Sequence, residues 1–235
     1  MLPILTASNG LFFALGETTW EARVILVILF TGSIFSWSVM ITKFLQVSEA
    51  KKAGRFFYRS YRESNGVLGL HELRKKFDGT PLYHIYQAAC RELIFQKGGA
   101  NDGSPPRPLT ASGMSAIRSA MEREVGARAL ELENNMVLLA IAVSGAPFLG
   151  LLGTVWGVME TFSAVAQAGA ADLRAMAPGV SAALLTTVVG LLVAIPSMFG
   201  YNYLVATIRQ LTVEMDNFAA ELAAAIEHQF LSNLR

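Results

Sequence analysis

The sequence predicts an all-α integral membrane protein. Three transmembrane helices run with the N-terminus outside and the C-terminus inside, and long helices extend into a cytoplasmic helical domain. Three observations carry this. Only 16% of the 235 residues are charged and 53% are hydrophobic, whereas a soluble domain has about 25% charged residues; the mean hydropathy is +0.42. Positions 24–42, 134–159 and 175–208, of 19, 26 and 34 residues, contain no Asp, Glu, Lys, Arg or His. A helix rising ~1.5 Å per residue needs about 20 residues to cross ~30 Å of hydrocarbon, so each stretch is long enough. Finally, 15 of the 19 basic residues lie between Lys43 and Asn135.

Residues 1–22 form an outer, periplasmic segment. They hold Glu17 and Glu21 but no Lys or Arg, so the positive start of a secretory signal is missing. Residues 23–43 are the first span, with Trp37 toward its far end as an interface anchor. The segment 44–133 is the cytoplasmic domain. Lys43, Lys51, Lys52 and Arg55 follow the first span, and Arg118, Arg123 and Arg128 precede the second, as the positive-inside rule requires. Glu63, Glu72, Glu122, Glu124, Glu131 and Glu133 are interspersed, and the net charge is only +1, so there is no case for nucleic acid.

Within that domain helices are expected at 44–63, 66–77, 82–97 and 113–135. A Gly- and Pro-rich loop, 98–108, precedes the last of them. Ser112 and Ser115 are its candidate caps, and Arg118–Glu122 and Glu124–Arg128 its supporting i, i+4 pairs. With no breaker between Glu133 and Met136, this helix reads straight into the second span, 134–159. Residues 160–174 make a short outer loop. The third span, 175–208, exceeds a simple crossing and should project beyond the membrane. Pro178-Gly179 and Pro196 mark bends or a helix start within it. Arg209 closes the apolar run, and 209–235 alternates apolar residues with Glu214, Asp216, Glu221 and Glu227 as a cytoplasmic amphipathic helix.

The chemistry-bearing residues are few. The single cysteine, Cys90, cannot form an internal disulfide and reads as a reduced thiol among polar neighbours. His71, His84 and His228 match no zinc spacing, and no Walker loop, dinucleotide fingerprint or nucleophile elbow appears. The chain is therefore read as a non-enzyme with no metal and no cofactor.

What remains is a pattern inside the spans. Gly150, Gly153 and Gly157 lie three and four apart on one face of the second span, which also holds Pro147. The third span has Pro178, Gly179 and Gly190. Glycine costs about 1 kcal/mol against alanine in an exposed helix, so a stripe of them points to close helix packing. Thr154 lies beside the stripe, and Thr186 and Thr187 sit at mid-membrane on the third span. A membrane threonine most often bonds back to its own helix. Alternatively these hydroxyls line a proton pathway; Glu160, at the outer end of the second span, would then assist proton entry, or it is simply a solvated helix end. Hydroxyls orient water and relay hydrogen bonds but hold no proton at physiological pH, so the titrating carboxylate of such a pathway would come from another chain.

Two stretches, Ala146-Pro-Phe-Leu-Gly-Leu-Leu-Gly-Thr-Val-Trp-Gly-Val-Met159 and Ala177-Pro-Gly-Val-Ser-Ala-Ala-Leu-Leu-Thr-Thr-Val-Val-Gly-Leu-Leu-Val-Ala-Ile-Pro196, resemble the signature of the TolQ/ExbB/MotA proton-channel family. Gly200-Tyr-Asn-Tyr203 and Met215-Asp-Asn-Phe218 are similar to its TolQ branch. Three spans rather than four place the likeness with TolQ and ExbB instead of MotA, and Ser36-Trp37 together with Gly153-Thr-Val-Trp-Gly157 inclines it to TolQ. The resemblance implies a homopentamer in the bacterial inner membrane around two copies of a single-span TolR/ExbD-type partner. That partner carries a membrane-embedded Asp, protons are the coupling ion, and an envelope-spanning TolA/TonB-type protein receives the work. By position, Thr154 and Thr187 would face the pore. One departure stands out: the family usually has Glu where this chain has Ala182, which weakens any mechanism giving the subunit its own intramembrane acid. The competing expectation is a non-conducting membrane scaffold whose glycines and threonines only pack helices.

Overall fold

The computed structural model describes residues 19–64, 66–72, 77, 79–98, 107–169 and 173–230. Among them every regular element is a helix: α1 (Trp20–Arg62), α2 (Gly69–Glu72), α3 (Pro81–Gln96), α4 (Ala111–Glu133), α5 (Met136–Ala168) and α6 (Leu173–Phe230). The three apolar stretches lie in α1, α5 and α6, and these are the helices long and apolar enough to cross a membrane. α1 and α6 continue well past their apolar parts, to 43 and 58 residues in all. Residues 1–18, 73–76 and most of the 98–108 loop fall outside the description, so the expected helix at 66–77 is seen only as the short α2.

The chain forms two compact units. The first takes the chain up to Thr42 together with Asn135–Tyr203. It is a three-helix assembly in which Ile25 and Leu29 of α1 pack with Ala146 of α5 and with Val193 and Ala194 of α6. α1 and α6 run parallel, because successive contacts climb both together: Ser36 with Ser197, then Met40 against Gly200. The Ser36 and Ser197 hydroxyls are buried and 2.6 Å apart, and Ser197 donates to the Val193 carbonyl at 2.8 Å. At this pair a polar bond replaces the apolar packing between α1 and α6.

The second unit, Lys43–Asn134 with the chain from Leu204 on, is built around Phe57. This ring is fully buried and meets Phe77, Tyr83, Tyr86 and Phe218 at centroid distances of 5.3, 5.8, 5.8 and 5.6 Å. Three contacts are edge-on and that with Tyr86 is tilted, geometries that suit the ring quadrupole. The Tyr86 hydroxyl donates to the Val67 carbonyl at 2.8 Å and accepts from the His71 amide at 3.1 Å, which pins the α2 turn to α3. α3 packs on α4. Cys90 lies inside this core and not among polar neighbours, because the polar residues near it in sequence leave from other faces of α3. Burial pushes its thiol up to about 11.

Local chemistry departs from expectation at two helix ends. Thr110, not Ser112 or Ser115, caps α4, its Oγ1 accepting the Gly113 amide at 3.1 Å. And α4 does not run into α5. Asn134 is extended and Asn135 takes a left-handed conformation, φ 65°, which asparagine tolerates better than most side chains. The open end of α4 is held from α1: the buried Lys43 ammonium donates to the Leu132 and Glu131 carbonyls at 3.0 and 3.3 Å, a cation placed where the helix dipole favours one. Of the two expected ion pairs on α4, Glu124–Arg128 forms at 3.0 Å, while Arg118 reaches Glu227 of α6 at 2.7 Å.

Two outcomes test this core. Phe57→Ala removes the ring on which five others, Tyr61 among them, converge and should lower unfolding stability by about 3–5 kcal/mol, measured by thermal melting in detergent. At neutral pH the Cys90 thiol should resist maleimide in the folded protein and react after denaturation.

Candidate functional site

The contact between α5 and α6 is set by glycines. A Cβ at Gly150 would lie 2.8 Å from the Thr186 carbonyl oxygen and 3.0 Å from the Thr187 Cα; one at Gly190 would lie 2.6 Å from the Ala146 carbonyl oxygen. At Gly157 it would meet the Ala183 Cβ at 2.8 Å. The helices run antiparallel here and touch backbone to backbone, the approach that small residues permit in membranes. Further out, Gly179 leaves room for the Thr161 side chain. Pro147, Pro178 and Pro196 lie inside the helices without ending them.

Three hydroxyls sit in this seam. Thr186 is fully buried, with Oγ1 2.7 Å from the Ala183 carbonyl and 3.0 Å from the Gly150 carbonyl. Its side chain fills the place a Cβ on Gly153 would take. Thr154 and Thr187 are half-buried at the seam's edge and hydrogen-bonded to one another. Thr154 Oγ1 also lies 3.1 Å from the Ala183 carbonyl and 3.3 Å from that of Gly150, and Thr187 Oγ1 lies 3.1 Å from the Gly150 carbonyl. Two backbone carbonyls, one from each helix, thus receive all three hydroxyls.

The structure therefore brings together Gly150, Gly153, Gly157, Thr154, Thr186, Thr187 and Gly190. It separates the threonines by environment, Thr186 inside and the other two at the edge. Glu160 stands apart: it is exposed on α5, eight residues before the helix ends at Ala168, not at a helix terminus. Ala182 and its neighbour Ala183 are both buried, so the seam carries methyl groups there and no acid. Among the described residues no three His, Cys, Asp or Glu side chains come together as metal ligands. The two acceptor carbonyls have no signature in the sequence, because every residue has one. The Ser36–Ser197 bond joins two hydroxyls visible in the sequence only as separate residues.

Chemically the seam offers hydroxyls and carbonyls. These can accept, donate and orient hydrogen bonds but carry no charge of their own.

A sequence model of the MotA/TolQ/ExbB proton channel family matches residues 84–217, which include the whole seam. Among similar proteins is the Tol-Pal system protein TolQ of Haemophilus influenzae, 32% identical over 209 residues, covering 88% of this chain and 89% of that one. The Tol-Pal system protein TolQ of Pseudomonas aeruginosa is 26% identical over 234 residues, 97% of each chain. The biopolymer transport protein ExbB of Pseudomonas putida is 27% identical over 201 residues, 85% of this chain but 58% of that longer one.

If backbone contact sets the seam, adding a methyl group there forces the helices apart. Gly150→Ala and Gly190→Ala should each destabilise the protein by about 1–3 kcal/mol in detergent melts. Gly145→Ala, whose Cβ would meet nothing closer than 4.0 Å, should be neutral or stabilising by less than about 1 kcal/mol.

Proposed function

Because this chain belongs to the MotA/TolQ/ExbB proton channel family, we propose that it is a stator-type subunit of the bacterial inner membrane that turns proton motive force into mechanical work on the cell envelope. The subunit forms a homopentamer around two copies of a single-span TolR/ExbD-type partner. It lies with the N-terminus outside and the basic segment after Lys43 in the cytoplasm. Protons are the coupling ion. They reach the partner's membrane-embedded Asp from the periplasmic side, on which Glu160 would lie, and leave toward the cytoplasm.

The observation that supports this reading most is the half-exposed Thr154–Thr187 pair on a membrane seam that has no acid of its own. A carboxylate in hydrocarbon is costly, by about 2.5–3.5 kcal/mol on insertion scales, unless polar groups meet it. A hydroxyl pair backed by two carbonyls is such a meeting point for a neutral acid and a poorer one for its anion. Loading and unloading the partner's Asp therefore changes its fit to the Thr154 and Thr187 faces, and the subunits shift against the partner. One proton crossing 100 mV releases ~2.3 kcal/mol, enough to bias such a step. A TolA/TonB-type protein would take up the motion.

One observation favours the rival reading of a non-conducting scaffold: all three seam hydroxyls already have acceptors inside the chain. The two readings part on transport. With the partner co-expressed and the complex in vesicles, Thr154→Val and Thr187→Val should each cut proton flux roughly 10-fold or more, the factor for losing about 1.5 kcal/mol of hydrogen bonding to an ionisable group. Wild-type flux in both variants leaves the scaffold.

A further inference from the structure

The second unit carries an open groove between α4 and α6 of about 310 Å³. Met121 and Val125 form one wall, Ala220 and Ala224 the other. Arg118 lies at one end, tied to Glu227 at 2.7 Å. Glu122 of α4 and Asp216 of α6 also line the groove; both are exposed, and neither has a partner among the described residues. A different face of the same unit carries the opposite pattern. On α1, Arg55, Phe56 and Arg59 form an exposed ridge, with the Phe56 ring 60% exposed. Arg55 has no partner among the described residues. Arg59 pairs with Glu63 at 3.1 Å, but both side chains are mostly exposed, where an ion pair contributes little.

Ridge and groove face away from each other within one chain. α6 turns Phe218 and Glu221 toward Phe57 and Tyr58 of α1. Asp216 and Ala220 lie two residues either side of Phe218, about 200° round the helix. Arg55 and Arg59 stand in the same relation to Phe57. Two different patches that match across copies make a head-to-tail contact, the kind that closes into rings. Copies in a ring about the membrane normal are related by rotation, so a residue meets only what lies at its own height. Along the side-by-side α1 and α6, Lys51 meets Gln210, Phe57 meets Phe218 and Tyr58 meets Glu221. Arg55 is therefore level with Asp216, and Arg59 with the turn that holds Ala220. α4 runs the other way, with Leu132 at Lys43 and Arg118 at Glu227, which brings Glu122 to that same turn. The ridge and the groove match in height as well as in charge.

We infer that the ridge of one copy fills the groove of the next: Arg55 docks against Asp216, Arg59 against Glu122, and the Phe56 ring on the alanine wall between them. This rests on the proposed reading of the chain as one copy in a homopentamer, and adds a surface that joins the copies outside the membrane spans. An aromatic ring flanked by arginines is the composition that anchors protein interfaces. The acids at the groove select for it by charge. A lipid surface fits the ridge less well. Arg55 and Arg59 lie 13 and 17 residues past Thr42, where the uncharged run ends. That is ~20 and ~25 Å of helix rise, against a headgroup layer of roughly 5–8 Å.

Phe56→p-benzoylphenylalanine keeps a ring on the ridge and makes it photoreactive. With the chain co-expressed with its single-span partner, illumination of the membranes should join two copies. The cross-linked peptide of the second copy should come from residues 118–125 or 216–224, the two sides of the groove. Asp216→Arg should lower that yield about 2- to 5-fold, the factor for an exposed ion pair. Arg55→Glu in the same chain should restore it, and a fall that this exchange does not reverse counts against the pairing. An adduct with the partner, with lipid or with another segment of the second copy overturns the inference, as does no adduct at all. Light scattering of the detergent-extracted protein separates the two readings. Several copies per particle without the adduct removes only the groove contact; a single copy removes the ring with it.

Discussion

The backbone-to-backbone contact of α5 and α6 is the constraint on which the rest of this protein depends. At Gly150 and Gly190 the helices come so close that a single methyl would overlap a carbonyl of the other helix. Two helices at an ordinary separation of ~8–10 Å keep their carbonyls out of each other's reach. Here the Gly150 carbonyl of α5 is within hydrogen-bond distance of two hydroxyls on α6, and the Ala183 carbonyl of α6 is within reach of Thr154 on α5. The glycines therefore do more than fill space; they bring backbone acceptors into a side-chain network.

That network suits a channel subunit without an acid. Water is absent at membrane depth, so an unmet polar group there costs several kcal/mol and has to be satisfied internally. The seam satisfies its three hydroxyls with two carbonyls and still leaves an oxygen facing outward. Nothing in it carries charge, so a titrating group belonging to another chain can be neutral or ionised without competing against a fixed charge on this one. The same economy appears between α1 and α6, where Ser36 and Ser197 satisfy each other and the Val193 carbonyl.

The fold class, three spanning helices, was legible because composition and uncharged run length report directly on the solvent a helix lives in. The glycine stripe and Thr154 were legible because helical periodicity puts them on one face. As residues Thr186 and Thr187 are adjacent hydroxyls, and only the family resemblance singled out Thr187; the rotation of α6 against α5, a tertiary fact, is what puts Thr186 inside and Thr187 at the edge. The break at Asn134–Asn135 was hidden because neither residue is a strong breaker, and the Lys43 ammonium that holds the end of α4 comes from 88 residues earlier in sequence. Arg118 pairs with Glu227 of α6 rather than with Glu122 one turn on, because a partner helix brings a carboxylate within reach. Cys90 looked polar by its neighbours in sequence and is core by its position on α3.

In the proposed function this chain supplies an uncharged sleeve and borrows its proton-binding acid from a partner. Proton flux into vesicles holding the purified chain alone, compared with vesicles holding the chain and its single-span Asp-bearing partner, tests it most directly. Flux indistinguishable from protein-free vesicles for the chain alone, and uncoupler-sensitive flux once the partner is present, is the expected result. Comparable flux from the chain alone would contradict it.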